Sequence, residues 1–141
     1  MTSVIGWWKL LSWTQEYDDG RKIAPFGEKA VGRLTYGETG DFAVLISRPD
    51  RAPFTTGGQW TAEDHEKAKS YDAMLAYYGR YEFDGEKMHH QVEASLYPNW
   101  AGHTQVRLAD IDGDILTLSA RLEESTSEAR TAELVWRRIT N

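Results

Sequence analysis

The chain has 141 residues and a formal charge of −6, with 16 Lys and Arg against 22 Asp and Glu. This length predicts one domain over residues 1–141, and the acidic balance argues against nucleic acid as a partner because phosphate backbones are also negative. The absence of cysteine excludes disulfides and thiolate metal sites and suits the cytoplasmic location that we expect. No apolar run is long enough to span a membrane, so no membrane insertion is expected.

Short turn signals divide the chain into runs of strand length. Asp18-Asp19-Gly20 and Asp112-Gly113-Asp114 are examples, because Gly and short polar residues suit hairpin turns. Most connections are too short for the helical crossovers that parallel strands need, which favours consecutive antiparallel strands. The predicted strands are 6–17, 30–37, 42–48, 76–84, 87–97, 104–111, 114–122 and 130–140.

The stretch between the third and fourth predicted strands differs from the rest. Thr61 is a typical N-cap, with acidic residues directly after it. Ala68, Tyr71 and Leu75 then follow at the spacing of one helix face. A helix is therefore predicted at about 61–75, after a loop rich in proline and glycine.

Eight antiparallel strands in a domain of this size close most simply into an up-and-down barrel, whose interior holds side chains or one small ligand. The predicted fold is an all-β, eight-stranded barrel with the helix near its mouth, and a two-layer sandwich is the alternative. Aromatic residues make up 12% of the chain. They either fill a β-rich core or line a cavity, since both are common roles of large rings.

Several short segments of the sequence resemble those of a known protein family. They are Gly6-Trp7-Trp8, Gly32-Arg33-Leu34-Thr35-Tyr36, Arg48-Pro49-Asp50-Arg51, Tyr77–Glu82 and His90–Trp100, in this order. Together they resemble the bacterial and fungal lipocalin-like domain family over essentially the whole chain. The resemblance implies a small barrel with an internal pocket and, for some members, a role in secondary metabolism. It also implies that an arginine of the last strand packs across Trp8 and closes the barrel, and Arg138 is the candidate.

The segment that begins at His90 is the best candidate site. Every second residue from Met88 to Leu96, His90 included, belongs to the more apolar face of its strand, which we expect to line the interior. His90 is then a titratable group among apolar neighbours, so we favour it over His89 as a catalytic acid or base. Glu93 is a second candidate, provided that burial raises its pKa.

Other polar and aromatic groups would orient a ligand. Asn99 and Trp100 follow the strand of His90 and offer an amide, an indole donor and a ring at the barrel mouth, unless they only cap the turn and seal the barrel. Arg48 either braces its loop or meets an acidic group of the ligand. The candidate ligand-binding residues are Tyr36, Arg48, Tyr81, Asn99, Trp100 and Gln105.

No metal or cofactor motif is complete. His89 and Glu93 share a strand face but lie roughly 13 Å apart, and His90 points to the other face, so they cannot converge on one ion. The acidic run that starts at Asp110 has Ile115 and Arg121 where a calcium loop needs Gly and Glu. We predict no metal site and no cofactor.

Three functions agree with these features. The first is a barrel that binds one small, mostly apolar molecule, aromatic or polyketide-like. The second is a cofactor-independent isomerase, cyclase or dehydratase acting on a secondary-metabolite intermediate, because holding a substrate in a reactive pose lowers much of such a barrier. The third is a packed barrel that acts through its surface, for example as a homodimer, and exposed rings such as Trp7 or Trp13 would favour it.

Overall fold

The computed structural model describes residues 3–140 of the chain. The strands are β1 (Gly6–Tyr17), β2 (Lys22–Ile23), β3 (Val31–Tyr36), β4 (Asp41–Ser47), β5 (Met74–Phe83), β6 (Lys87–Ser95), β7 (Thr104–Asp112), β8 (Ile115–Leu122) and β9 (Arg130–Arg138). The eight long strands are antiparallel neighbours in chain order, and β2 adds a short pairing to the end of β1. The ends of these eight strands differ from the predicted ends by at most two residues.

Pairing of the first strand with the last closes the sheet into a barrel. Trp8 is opposite Leu34 of β3 on one side and opposite Arg138 of β9 on the other. The ladder between β1 and β9 continues to Tyr17 and Arg130, with one irregularity between Leu10 and Ser12. The predicted all-β, up-and-down barrel is thereby confirmed, and the two-layer sandwich is excluded.

One α-helix lies between β4 and β5, as predicted, but the predicted bounds were wrong. The helix, α1, spans Asp64–Tyr71 and contains no buried residue. Its N-cap is Glu63 and not Thr61, whose hydroxyl accepts a hydrogen bond from the amide of Gly58 at 2.9 Å. Leu75 belongs to β5, where it pairs with Ile46 of β4. Sheet pairing therefore prevails over the helical spacing of Leu75.

No helix within residues 3–140 combines the length and the apolar character needed to cross a membrane.

Large side chains fill the end of the barrel at the start of β1, which we call the closed end. Trp8, Leu34, Tyr36 and Met88 are fully buried there. The guanidinium of Arg138 lies 4.3 Å from the centre of the Trp8 ring. Its Nη1 donates a hydrogen bond to the carbonyl oxygen of Ile5 at 2.9 Å. The opposite end, with α1 and the segment between β6 and β7, is the mouth.

A bulge between β5 and β6 decides which side chains face the interior near the mouth. Tyr78 is opposite Ala94, whereas Gly79 is opposite Val92, so Glu93 is an extra residue in β6. The backbones are so close here that a β-carbon on Gly79 would lie 1.9 Å from the carbonyl oxygen of Gln91. Glycine permits this approach because it has no side chain.

Candidate ligand-binding site

A cavity of about 200 Å³ occupies the half of the barrel nearer the mouth. Most of its wall is apolar, and four aromatic side chains line it, namely Trp13, Tyr77, Trp100 and Trp136. An engineered cavity of about 150 Å³ is enough to hold benzene. The cavity therefore has room for one aromatic ring with small substituents.

His90 is the centre of a buried polar cluster in the wall of this cavity. Its side chain is 2% exposed. The hydroxyl oxygen of Tyr36 lies 2.7 Å from Nε2, and that of Tyr77 lies 3.4 Å from Nδ1. The ring of Phe42 stacks on the imidazole at a centroid distance of 4.3 Å. A neutral imidazole has one donor and one acceptor, so it can donate to one tyrosine and accept from the other.

The cluster is uncharged at neutral pH. Burial lowers the pKa of His90 to about 3, and the positive charge of Arg107 acts in the same direction. Burial also raises the pKa values of the hydroxyls of Tyr36 and Tyr77. The hydrogen bonds among the three side chains therefore join neutral groups. Protonation of the buried His90 would cost free energy.

Arg107 also lines the cavity. It is opposite Met88 across the β6–β7 ladder, and Gln105 is opposite His90, which places both side chains on the inner face. The Nη2 of Arg107 donates a hydrogen bond to Oε1 of Gln105, and Nη1 donates to the carbonyl oxygen of Val106 at 3.1 Å. Arg107 was not among the site residues predicted from the sequence. Its position two residues after Gln105, on the same face of a strand, is the signal that could have indicated it.

Arg107 lies beside an interruption in the barrel wall. The β7–β8 ladder extends from Asp112 and Ile115 only as far as Leu108 and Ser119. Residues 104–107 pair with β6, and in the described part of the chain no backbone pair joins them to residues 120–122. Ala120 and Leu122 line the cavity from the other side of this interruption. The interruption is a place where a small molecule could enter.

Four of the sequence-predicted site residues come together at the cavity. His90 and Trp100 line it, and the rings of Trp100 and Tyr77 meet edge to face at 5.3 Å. Tyr36 contacts His90 from the side of the closed end, and Gln105 contacts Arg107. Sequence alternation thus located the strands that build this site.

The other four predicted site residues do not line the cavity. Glu93 is exposed on the outer face, because the alternation of β6 from buried His90 directs it outward, and Asn99 is exposed in a turn of 3-10 helix at Pro98–Trp100. Tyr81 lies toward the closed end, where its hydroxyl donates to the carbonyl oxygen of Gly37 at 2.8 Å. Arg48 donates to the carbonyl oxygen of Pro25 at 2.9 Å and borders an external groove beside α1.

The remaining predictions concern surface rings and metals. Exposure of Trp7 or Trp13 would favour a barrel that acts through its surface. Trp7 is 55% exposed. Trp13 instead lines the cavity and packs edge to face on Phe26 at 5.0 Å. Within residues 3–140, no group of three His, Asp or Glu side chains is arranged to hold a metal ion.

Comparison with known proteins agrees with this architecture. The family model of the lipocalin-like domain matches residues 5–139. The chain belongs to the lipocalin-like domain family. One curated protein of similar sequence is 41% identical over 86 residues, which cover 54% of the chain and 77% of that protein. It is the 4'-hydroxy-3'-methoxypropiophenone carrier protein ppsC of Aspergillus oryzae. No solved structure matches the lipocalin-like chain significantly.

Proposed function

We propose that this lipocalin-like barrel is a carrier that binds one small aromatic molecule in its cavity. The observation that carries the proposal is the internal space of about 200 Å³ with four aromatic side chains in its wall. Aromatic rings give a ligand ring a large contact area in offset or edge-to-face geometry. The name of the 41% identical relative, a carrier of a single-ring aromatic ketone, supports the same class of ligand.

The polar groups of the cavity wall limit the chemistry of the ligand. Gln15, Tyr77, His90 and Arg107 contribute polar atoms, while the other lining side chains are apolar or indole rings. A pocket of this kind orients a mostly apolar molecule through a few hydrogen bonds. The geometry supports a ring with one or two oxygen substituents, and it leaves little room for a long polyketide chain.

The state of His90 favours carriage over catalysis. An acid or base works best when its pKa lies near the working pH, and burial lowers the pKa of His90 to about 3. Among the described residues that line the cavity there is no carboxylate to take its place. The cofactor-independent isomerase, cyclase or dehydratase remains the alternative proposal, and it would depend on orientation of the substrate alone.

A cytoplasmic location, a role in secondary metabolism and a homodimer remain predictions from the sequence.

Calorimetric titration with 4'-hydroxy-3'-methoxypropiophenone tests the proposal. We expect saturable binding of one molecule per chain, together with quenching of the tryptophans that line the cavity. Nonan-2-one, a linear ketone, is the matched control, and we expect it to bind at least tenfold more weakly because it cannot stack on the rings. Failure of aromatic ketones to bind would overturn the proposal. Conversion of the bound ketone into a new product would replace the carrier by the enzyme.

A further inference from the structure

Arg107 is the one permanently charged residue among the described residues that line the cavity. Its hydrogen-bond acceptors are the amide oxygen of Gln105 and the carbonyl oxygen of Val106, and both are neutral. Across residues 3–140 the ion pairs involve other side chains, so Arg107 has no carboxylate partner there. A guanidinium carries five N–H donors and stays protonated in proteins, so donors remain for another acceptor.

The other groups around the cavity do not offset this charge. His90 on β6, Tyr77 on β5 and Tyr36 on β3 are the titratable groups that face it, and all three are neutral at pH 7. A cation beside an apolar space interacts strongly with an anion there, because the local dielectric constant is low. Hydrogen bonds from arginine to an ionised oxygen are also stronger than those to a neutral one. An anionic ligand would therefore gain more from Arg107 than a neutral ligand of the same shape.

From this arrangement we infer that the ligand is an acidic aromatic molecule, held as its anion with the ionised oxygen on Arg107. The inference rests on the proposed function and specifies the class of ligand. The ionised oxygen belongs to a phenol or to a carboxylic acid. A phenol that binds in this way releases its proton to the solvent. His90 does not take the proton, because burial favours its neutral form.

Three probes of similar shape separate these chemistries. 4'-Hydroxy-3'-methoxypropiophenone carries a phenol, 3,4-dimethoxybenzoate carries a carboxylate, and 3',4'-dimethoxypropiophenone carries neither. We expect the wild-type protein to bind the phenol or the carboxylate at least tenfold more tightly than the neutral ether. The tighter of the two acids identifies the acidic group. A bound phenolate also absorbs at a longer wavelength than the phenol, so the absorption spectrum at pH 7 reports its ionisation.

The variant Arg107→Met tests whether this residue causes the preference. We expect Arg107→Met to lose the preference for the acids and to bind the carboxylate no more tightly than the neutral ether, because an unpaired anion is costly in an apolar cavity. Arg33→Met is the matched control, because Arg33 is exposed on the outer face and its loss changes the net charge equally. Thermal melting checks the fold of each variant, and Arg107→Gln replaces Arg107→Met if the latter does not fold.

Two results would overturn the inference while the proposed function stands. One is a wild-type protein that binds the neutral ether as tightly as the acids, which needs no variant to establish. The other is an equal loss of affinity for ether and acids in Arg107→Met, which would mean that Arg107 binds the ketone oxygen or only supports the wall. If the wild-type protein binds none of the three probes, the proposed function fails, and this inference fails with it.

Discussion

The hydroxyl oxygen of Tyr36 lies 2.7 Å from Nε2 of His90, and both side chains are buried inside the barrel. Tyr36 contacts Tyr81 toward the closed end, with ring centres 4.7 Å apart, whereas His90 lines the cavity. This hydrogen bond therefore joins the packed half of the barrel to the half with the cavity. Because burial keeps the imidazole neutral, the junction carries no charge.

The buried imidazole makes the stability of the protein depend on pH. The pKa of His90 is about 3 in the folded protein, against 6.5 for an ordinary histidine, so the unfolded chain binds a proton between these values and the folded protein does not. Stability from this group is fully present above pH 6.5 and falls as the pH is lowered toward 3. We expect the free energy of unfolding to fall by about 2 kcal/mol between pH 7.5 and pH 5 through His90 alone.

Urea unfolding of wild type and His90→Gln at the two pH values checks this prediction. The variant should be less stable at pH 7.5, but its stability should depend less on pH by about the same 2 kcal/mol. His103→Gln serves as the control, because it removes an exposed histidine and leaves the buried cluster around His90 intact. Equal pH dependence in wild type and His90→Gln would show that the imidazole is accessible to protons in the folded protein.

Filling the cavity should weaken ligand binding without unfolding the protein. Ala132 lines the cavity from β9, beside Ala120 of β8, and a leucine there would occupy space that a ligand ring needs. We expect Ala132→Leu to lower the affinity for 4'-hydroxy-3'-methoxypropiophenone by at least about tenfold, or 1.4 kcal/mol, in a calorimetric titration. Ala43→Leu on the outer face is the matched control and should bind as wild type does. Full affinity in Ala132→Leu would place the ligand elsewhere.

Gly79 should tolerate no side chain. A β-carbon there would lie 1.9 Å from the carbonyl oxygen of Gln91, and a backbone oxygen cannot move without breaking the β5–β6 ladder. We expect Gly79→Ala to lower the free energy of unfolding by about 3 kcal/mol or more, or roughly 10 °C in melting temperature. In Gly37→Ala the nearest contact would be an ordinary 3.5 Å, so this control should stay close to wild type. A stable Gly79→Ala protein would contradict the bulge at this position.

Arg138 should stabilise the closed end and have no effect on the cavity. It covers the Trp8 ring and donates to the carbonyl oxygen of Ile5, contacts that alanine cannot replace. We expect Arg138→Ala to cost about 1–2 kcal/mol and lower the melting temperature by roughly 5 °C, with ligand affinity within about twofold of wild type. The exposed neighbour Arg137 gives the control Arg137→Ala, for which we expect little change. An unchanged melting temperature in Arg138→Ala would rule out a closing role.

Much of the fold could be predicted from the sequence, because the signals that specify strands and turns are local. Turn signals and the strand-like runs between them located all eight long strands, and the shortness of most turns favoured antiparallel order. The helix bounds could not be predicted in the same way. Leu75 has the right spacing for a helix face, but it pairs with Ile46, a residue distant in sequence.

The candidate site, like the fold, could be predicted from the sequence only in part. The sequence by itself determined that His90 lies on an apolar strand face and that Trp100 follows it at the mouth, because period-two alternation and turn chemistry depend on neighbouring residues. Only the tertiary structure decided that Ala94 lies opposite the exposed Tyr78 instead of facing the interior, and that Arg107 borders the cavity. Both depend on how strands distant in sequence are paired, through the bulge at Gly79 and the register of β6 with β7. Pairing is set by contacts over the closed barrel, and no local pattern contains that information.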